Sequence, residues 1–286
     1  MSQLADHIRA EFKRNDDIRD AGLVTPADIV RCDDICYGAD PRTQSLDVYR
    51  PRAAEGQALP VIVSVHGGGW VYGDKERYQY YCMSLAQRGF AVVNFTYRLA
   101  PEAKYPAQLE DVNAVFAWVL DNAARYGFDA AHVFAVGDSA GAHLLSLYGC
   151  LCTNPDAAAR YAFRPPEGFA PTAVALNCGA YIVDVDGLIQ ELLPNRGTPE
   201  ELALISPLEQ LTGAFPPAFV MTSDGDFLKP QAPVMAAKLQ ALNVPYALRF
   251  YVGRDAPLPH VFHCDMRSAD GRLCNDEECD FFRRFL

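Results

Sequence analysis

The chain has 286 residues, of which 50% are hydrophobic and 21% charged, a length and composition typical of a globular protein with a sizeable core. Its formal net charge of −11 argues against a nucleic-acid partner, because binding to phosphates draws on clustered Lys and Arg. The first residues lack the apolar core of a signal peptide, and no run is long and apolar enough to cross a bilayer. We therefore expect no nucleic-acid or membrane partner and a cytoplasmic location.

Strand-like and helical stretches alternate along the chain. Residues 1–35 are charged and predicted to be helical, and the next stretch, "SLDVYRP", resembles an antiparallel strand at a sheet edge. Short runs rich in β-branched or aromatic residues then predict buried strands: "PVIVSV", "FAVVNFTY", "HVFAV", "TAVALNC", "PAFVMTS" and "YALRFYV". The predicted helices are 76–88, 107–126, 140–152, 231–242 and 275–286. This alternation predicts an α/β fold with a mostly parallel central sheet and helices on both faces.

Two segments fall outside this alternation. Residues 1–35 precede the first strand, and residues 183–210 form a long excursion between two core strands. Long inserts above strand ends usually cover a site. We predict that 1–35 is an N-terminal cap segment, and that 36–286 is the main domain, with a cap insertion at 183–210.

The motif "GDSAG" indicates a nucleophile. It fits Gly-x-Ser-x-Gly, with a strand-like run before it and a helical stretch after it. In this context the motif forms a strained strand-to-helix turn that exposes the serine hydroxyl, here that of Ser139. The amide of Ala140 begins the helix, where unpaired N–H groups and a partial positive charge favour a developing anion.

The motif "HGGGW" places three glycines at the end of a predicted buried strand. A tetrahedral intermediate needs two or more donors about 3 Å from its oxygen, and glycines let backbone N–H groups approach closely. We predict that Gly67 and Gly68 donate to this oxyanion, with Gly69 as a spacer or a third donor. His66 is interpreted as a structural residue and Trp70 as a wall of the pocket.

Several motifs in order resemble one enzyme family. "HGGGW", "YRLAPE" followed by "YPAQLEDV", "GDSAG", and "ISPL" followed by "FPPAFVMTSDGD" resemble the hormone-sensitive-lipase-like branch of the α/β-hydrolase esterases. The resemblance covers residues 36–265. It implies the α/β-hydrolase fold, hydrolysis of carboxylic esters through an acyl-enzyme, no cofactor, and a small cap built partly from the N-terminus.

The resemblance also orders the remaining catalytic residues, since this fold places Ser, then Asp or Glu, then His along the chain. Asp224 and Asp226 both follow the strand "PAFVMTS", and Asp226 is favoured because "DFL" is similar to the family's Asp-Pro-Leu. His260 and His263 both follow the last strand, and "HVF" at His260 is similar to the family's His-Gly-Phe. Asp226 and His260 are therefore the predicted acid and base.

The predicted function is a serine carboxylesterase for small, short-acyl esters, among them acetylated carbohydrates. Two alternatives stay open, a serine peptidase on the same fold and a non-catalytic small-molecule receptor. A dimer formed through sheet edges is compatible with the fold. The nine cysteines are interpreted as reduced thiols, and a zinc cluster of His260, His263, Cys264, Cys274 and Cys279 is disfavoured because its spacings match no finger pattern. We expect neither metal nor cofactor.

Overall fold

An eight-stranded sheet organises residues 2–286, the part of the chain that this computed structural model describes. The strands are β1 Ile29–Cys36, β2 Ser45–Pro51, β3 Leu59–Val65, β4 Ala91–Phe95, β5 Phe128–Asp138, β6 Val174–Asn177, β7 Ala218–Ser223 and β8 Tyr246–Tyr251. They lie in the order β1-β2-β4-β3-β5-β6-β7-β8. β2 is antiparallel to β1 and β4, and all the other neighbours are parallel. The predicted mostly parallel α/β sheet is confirmed.

Helices cover both faces of this sheet. They are α1 Gln3–Asp20, α2 Lys75–Gln87, α3 Ala107–Asp121, α4 Ala123–Tyr126, α5 Ala140–Thr153, α6 Pro155–Ala159, α7 Gly187–Leu192, α8 Pro199–Ile205, α9 Pro207–Gln210, α10 Gln231–Ala241 and α11 Ala269–Arg283. The helix predicted over 107–126 is divided at Asn122 into α3 and α4. Between residues 2 and 286, none of the helices combines the length and the apolar character that crossing a bilayer requires.

The core consists of two apolar layers, one on each face of the sheet. Successive side chains of a strand point to opposite faces, so Val63 of β3 joins one layer and Ile62 the other. Phe116 of α3 packs in the first layer. In the second, the ring of Phe134 stacks on that of Phe282 of α11 at 4.8 Å. Burial on both faces explains why the central parallel strands β3, β4, β6 and β7 consist mostly of apolar residues.

The parallel arrangement gathers the predicted site at one edge of the sheet. β3, β5 and β7 end just before His66, Ser139 and Asp226, respectively, and His260 follows β8 by a loop. Because the carboxyl ends of parallel strands meet at the same edge, residues far apart in sequence become neighbours there.

The N-terminal segment differs from the prediction. β1 begins at Ile29 and pairs with β2, so the part of the chain outside the sheet is shorter than residues 1–35. β2 is antiparallel as predicted, but β1, not β2, lies at the edge. Helix α1 lines a cavity above the strand ends, and α7, α8 and α9 occupy most of residues 183–210.

Candidate active site

Ser139 occupies a strained turn between β5 and α5. Its φ of 51° and ψ of −116° lie in a region that L-residues rarely adopt, and such strain is typical of functional positions. Gly141 allows α5 to lie close to the end of β3, because a Cβ atom at this position would be 2.0 Å from the carbonyl oxygen of Val65. The N–H of Ser139 donates to the carbonyl of Asn177 at 2.9 Å. Ser139 is half-buried and lines the cavity.

Asp226 and His260 form a hydrogen-bonded pair beside this turn. His260 Nδ1–H donates to Asp226 Oδ1 at 2.6 Å. The carboxylate also accepts from the Thr222 hydroxyl at 2.7 Å and from the Leu228 N–H at 2.8 Å. Burial acts to raise the pKa of Asp226, but the hydrogen bond and charge of His260, together with the hydrogen bonds from Thr222 and Leu228, leave this pKa below its usual value. The pair therefore holds an ionised carboxylate against the imidazole, which also packs on the ring of Phe227 at 4.3 Å.

The alternative acid and base lie in other contacts. Asp224 accepts from the backbone N–H of Leu258 at 2.8 Å, which stabilises the loop that precedes His260. His263 is fully buried against Tyr81, with ring centroids 5.0 Å apart, and burial lowers its pKa to about 3. The structure thus brings Asp226 and His260 together and leaves Asp224 and His263 in structural positions.

Hydrogen bonds to two carbonyls orient the peptide planes of the three glycines that follow β3. The carbonyl of Gly67 accepts from His66 Nδ1–H at 2.7 Å, and the carbonyl of Gly68 accepts from the N–H groups of Val71 and Tyr72 at 3.2 and 3.0 Å. In a trans peptide, C=O and N–H point in opposite directions. Fixing these two carbonyls therefore turns the N–H groups of Gly68 and Gly69 the other way.

Within residues 2–286, the N–H groups of Gly68, Gly69 and Ala140 have no acceptor in the protein. All three residues line the same cavity as Ser139. Ala140 is the first residue of α5, where intrahelical acceptors are lacking and the helix dipole is positive. These amides are free to receive a negatively charged oxygen.

The position of Gly67 corrects one sequence prediction. Its N–H donates to the Tyr78 hydroxyl at 3.0 Å, and that hydroxyl donates to Asp138 Oδ2 at 2.7 Å. Gly67 is therefore engaged inside the protein and is not a free donor, contrary to the prediction from the glycine motif. Asp138 is buried, which raises its pKa to about 6. Sequence reasoning missed this link between the loop and the nucleophile turn.

His66 serves the loop as a neutral structural residue. Its ring is fully buried and stacks on Tyr97 at 4.0 Å, and burial lowers its pKa to about 4. Trp70 lines the cavity, and its indole N–H donates to His143 Nδ1 at 3.2 Å. His143 Nε2–H in turn donates to the Ile205 carbonyl at 2.7 Å, so the cavity wall is tied to α8.

The residues that could hold a metal differ from the set considered in the sequence. In the described part of the chain, the grouping close enough is Cys178, Asp226 and His260, with ligand atoms within 4.8 Å of one another. Burial raises the pKa of the Cys178 thiol well above its usual value, which favours the protonated form. His260 Nδ1 is already bonded to Asp226, so this grouping is the acid–base pair with a neutral thiol beside it.

The cavity at these residues has a volume of about 770 Å³. Its walls come from α1, the glycine loop, the start of α5, the segment before and within α7, and the loop that carries His260. Phe12, Ile18, Ile182, Leu188 and Phe227 supply apolar surface. The two segments predicted to form a cap thus contribute to the walls, and the enclosed space is large enough for a small organic ligand.

Comparison with known proteins places these features in a family. The family model described as BD-FAE matches residues 46–161. Carboxylesterase NlhH of Mycobacterium tuberculosis is 30% identical over 249 residues, which cover 79% of this chain and 76% of that protein. Esterase LipQ of the same organism is 30% identical over 246 residues, 80% of this chain. The chain spans 56% of the length of LipQ and 55% of that of esterase LipC.

A solved structure agrees over nearly the whole fold. The inhibited esterase B from Lactobacillus rhamnosis superposes with a TM-score of 0.88 and 26% identity, over 98% of this chain and 95% of that chain. The likeness to esterase B covers 98% of this chain and the likeness to NlhH covers 79% of it, so both extend well beyond the central sheet. The chain belongs to the α/β-hydrolase esterases, in the branch that is similar to hormone-sensitive lipase.

Proposed function

We propose that this chain is a serine carboxylesterase with Ser139 as nucleophile, His260 as general base and Asp226 as the acid that orients it. The observation that carries the proposal is the 2.6 Å hydrogen bond between His260 and Asp226 at the cavity that Ser139 also lines. A nucleophile, a base and a group that orients the base are the parts that acyl transfer requires.

The proposed reaction has two halves. His260 takes the proton of the Ser139 hydroxyl while the oxygen attacks the ester carbonyl carbon, and it then gives this proton to the departing alkoxide, which leaves as the alcohol. A water molecule next attacks the acyl-enzyme, with His260 again accepting a proton and returning it to Ser139. The carboxylic acid leaves, and the enzyme is restored. Asp226 stabilises the imidazolium that forms in each half.

Gly68, Gly69 and Ala140 are the proposed donors to the oxyanion. Their N–H groups have no protein acceptor in residues 2–286, and the carbonyls of the two peptides that carry the glycine N–H groups are fixed by hydrogen bonds. Donors that are oriented before the reaction stabilise the charge without reorganising. Gly67 of the sequence prediction is replaced in this role by Gly69.

The proposed substrates are small esters with short acyl chains, including acetylated carbohydrates. The cavity of about 770 Å³ and its apolar walls support an uncharged ligand of modest size. Esterase B, which is 26% identical to this chain, has been solved with a C4-C4 tributyrin phosphonate inhibitor.

The test is a series of p-nitrophenyl esters from acetate to laurate, with the p-nitroanilide of the best acyl group and an acetylated sugar alongside. Wild type is compared with Ser139→Ala and with Ser146→Ala, a control in α5 whose hydroxyl donates to the Ala142 carbonyl. We expect hydrolysis by wild type and by the control, a maximum at short chains, and a loss of about 10⁴-fold or more in Ser139→Ala. Equal rates for wild type and Ser139→Ala would refute the proposal, and preferred cleavage of the anilide would make the protein a peptidase.

We also propose that two copies associate through β8. β8 is the last strand of the sheet. Leu248 and Phe250 of β8 and Val252, which directly follows it, are exposed apolar side chains at alternate positions. An edge strand offers unpaired backbone groups that a second copy can satisfy. Sedimentation should show a dimer for wild type and a monomer for Phe250→Lys, and a wild-type monomer at high concentration would contradict this.

A cytoplasmic location is the further proposal. All nine cysteines are free thiols in the structure, and the sequence pI is about 5.0. Free thiols persist in reducing compartments. Fractionation of the source cells should recover the protein with cytoplasmic markers.

A further inference from the structure

The first helix contacts the loop that follows the three glycines. Arg9 Nε of α1 donates to the Val71 carbonyl at 2.8 Å, and Arg9 Nη2 donates to the Ala100 carbonyl at 2.9 Å. The carboxylate of Glu102 accepts from Arg9 Nη1 and Nη2 at 2.9 and 2.6 Å. This fork-to-fork geometry fixes the plane of the guanidinium, so the hydrogen bond to Val71 has a defined direction.

A second contact lies two turns further along α1. The Tyr72 hydroxyl donates to Asp16 Oδ2 at 2.8 Å, and the Tyr72 ring meets that of Phe12 edge-on at 5.8 Å. Arg19 holds Asp16 from the other side, with Nη1 at 2.9 Å from Oδ1. Helix α1 therefore holds two consecutive loop residues, Val71 by its carbonyl and Tyr72 by its side chain.

These same two residues fix the peptide that carries a proposed oxyanion donor. The N–H groups of Val71 and Tyr72 both donate to the Gly68 carbonyl. The Gly69 N–H belongs to the same peptide plane and points the opposite way. A displacement of Val71 or Tyr72 would rotate this plane and misdirect the Gly69 N–H.

We propose that Arg9 and Asp16 are positioning residues for the oxyanion hole, acting on Gly69 through Val71 and Tyr72. The inference rests on the proposed esterase function and deepens it. Arg9 is not among the described residues that line the cavity, so a change in turnover on its replacement would pass through the loop. Helix α1 then does more than cover the substrate, because part of the oxyanion hole depends on its docking.

The test compares Arg9→Ala with Arg14→Ala, which removes an exposed arginine from the same helix. Turnover of p-nitrophenyl acetate is expressed per active site, counted by titration with a reactive phosphonate. Loss of a complete oxyanion donor costs about 10²–10³-fold in kcat, and a donor that is present but loosely oriented should cost about tenfold. We expect that loss in Arg9→Ala, with KM changed by less than about twofold because the altered interaction forms in the transition state.

A trifluoromethyl ketone provides a second readout, since its adduct with Ser139 carries an oxyanion. Its inhibition constant should rise in Arg9→Ala by the same factor as kcat falls, and stay at the wild-type value in Arg14→Ala. A merely structural role of Arg9 would reduce the number of titratable sites and leave both quantities per site unchanged. Tyr72→Phe, which removes the hydroxyl that Asp16 accepts from, should shift both readouts in the same direction and serves if Arg9→Ala does not fold.

The outcomes distinguish a failure of the positioning role from a failure of the proposed esterase function. If wild type hydrolyses the ester but Arg9→Ala matches Arg14→Ala in kcat per site and in ketone inhibition, the positioning role is wrong and the esterase function stands. If wild type and Ser139→Ala are equally inactive, the proposed function itself fails, and the positioning role fails with it.

Discussion

Replacing Tyr78 by phenylalanine removes a hydroxyl that joins the glycine loop to the nucleophile turn. The hydroxyl accepts from the Gly67 N–H at 3.0 Å and donates to Asp138 Oδ2 at 2.7 Å, and the side chain is 7% exposed. A hydrogen bond to a carboxylate contributes about 1.5–3 kcal/mol and one between neutral groups about 1 kcal/mol, so Tyr78→Phe should lower the free energy of unfolding by about 2.5–4 kcal/mol. At pH 8 Asp138, with a pKa raised to about 6 by burial, is ionised and loses the hydrogen bond from the Tyr78 hydroxyl.

Turnover should fall as well, because the loop that presents Gly68 and Gly69 is no longer tied to the turn that presents Ser139. A shift that removes about 1.4 kcal/mol of transition-state stabilisation lowers kcat about tenfold, and we expect a loss of about 10- to 100-fold. The matched control is Tyr81→Phe, one turn later on α2, where the lost hydroxyl donates to the buried carboxylate of Glu278 at 2.8 Å.

The assay measures kcat per titrated active site at pH 8 and the midpoint of thermal unfolding for both variants. Both should unfold at lower temperature than wild type, and turnover per site should fall in Tyr78→Phe alone. An equal loss of turnover in the two variants, or none in Tyr78→Phe, would refute the role assigned to this hydroxyl. A double-mutant cycle with Asp138→Asn should be non-additive, since both changes act on the same hydrogen bond.

Three further predictions address other parts of the site. Asp226→Asn should lower kcat about 10³- to 10⁴-fold while leaving the fold intact by circular dichroism, because an amide does not stabilise the imidazolium of His260. Gly68→Ala should lower kcat about 100-fold or more, since its Cβ would lie 2.1 Å from the Tyr72 carbonyl oxygen at a φ of +108°. Burial raises the pKa of Glu278 from 4.5 to about 7, so the folded state binds the proton more tightly and stability falls by about 3 kcal/mol as pH rises from 4.5 to 7. The midpoint of thermal unfolding of Glu278→Gln should not show this decline. It should exceed the midpoint of wild type by more at pH 8 than at pH 5.

The central sheet was predictable because its strands are buried on both faces. β3, β4, β6 and β7 are short, mostly apolar and almost fully buried, whereas α2, α3 and α5 between them are 13 to 15 residues long, so composition and length distinguish strands from helices. β1 was missed for a physical reason. Its sequence "IVRCDDIC" carries two aspartates and an arginine, because an edge strand exposes one side to water and its pairing with β2 comes from backbone hydrogen bonds.

The site was predictable where a motif fixes the backbone and unpredictable where distant side chains decide. Gly-x-Ser-x-Gly specifies its own turn, so the strained conformation of Ser139 follows from local sequence. Which glycine N–H groups are free depends on the hydrogen bonds of the carbonyls before them, and His66, Val71 and Tyr72 determine those. The spacing of the three glycines alone therefore does not predict which of their N–H groups are free.

The same reasoning explains why a tyrosine stands at position 78. The loop after β3 and the turn after β5 are 60 residues or more apart. In the proposed oxyanion hole, their donors must converge on one oxygen atom to within tenths of an ångström. A phenolic hydroxyl donates and accepts at a single atom, so Tyr78 satisfies a buried N–H and a buried carboxylate at once. Lysine could only donate and phenylalanine could do neither, so neither residue could make both of these hydrogen bonds. Because α2 begins at Lys75, six residues after Gly69, a side chain on its first turn is close enough to make this connection.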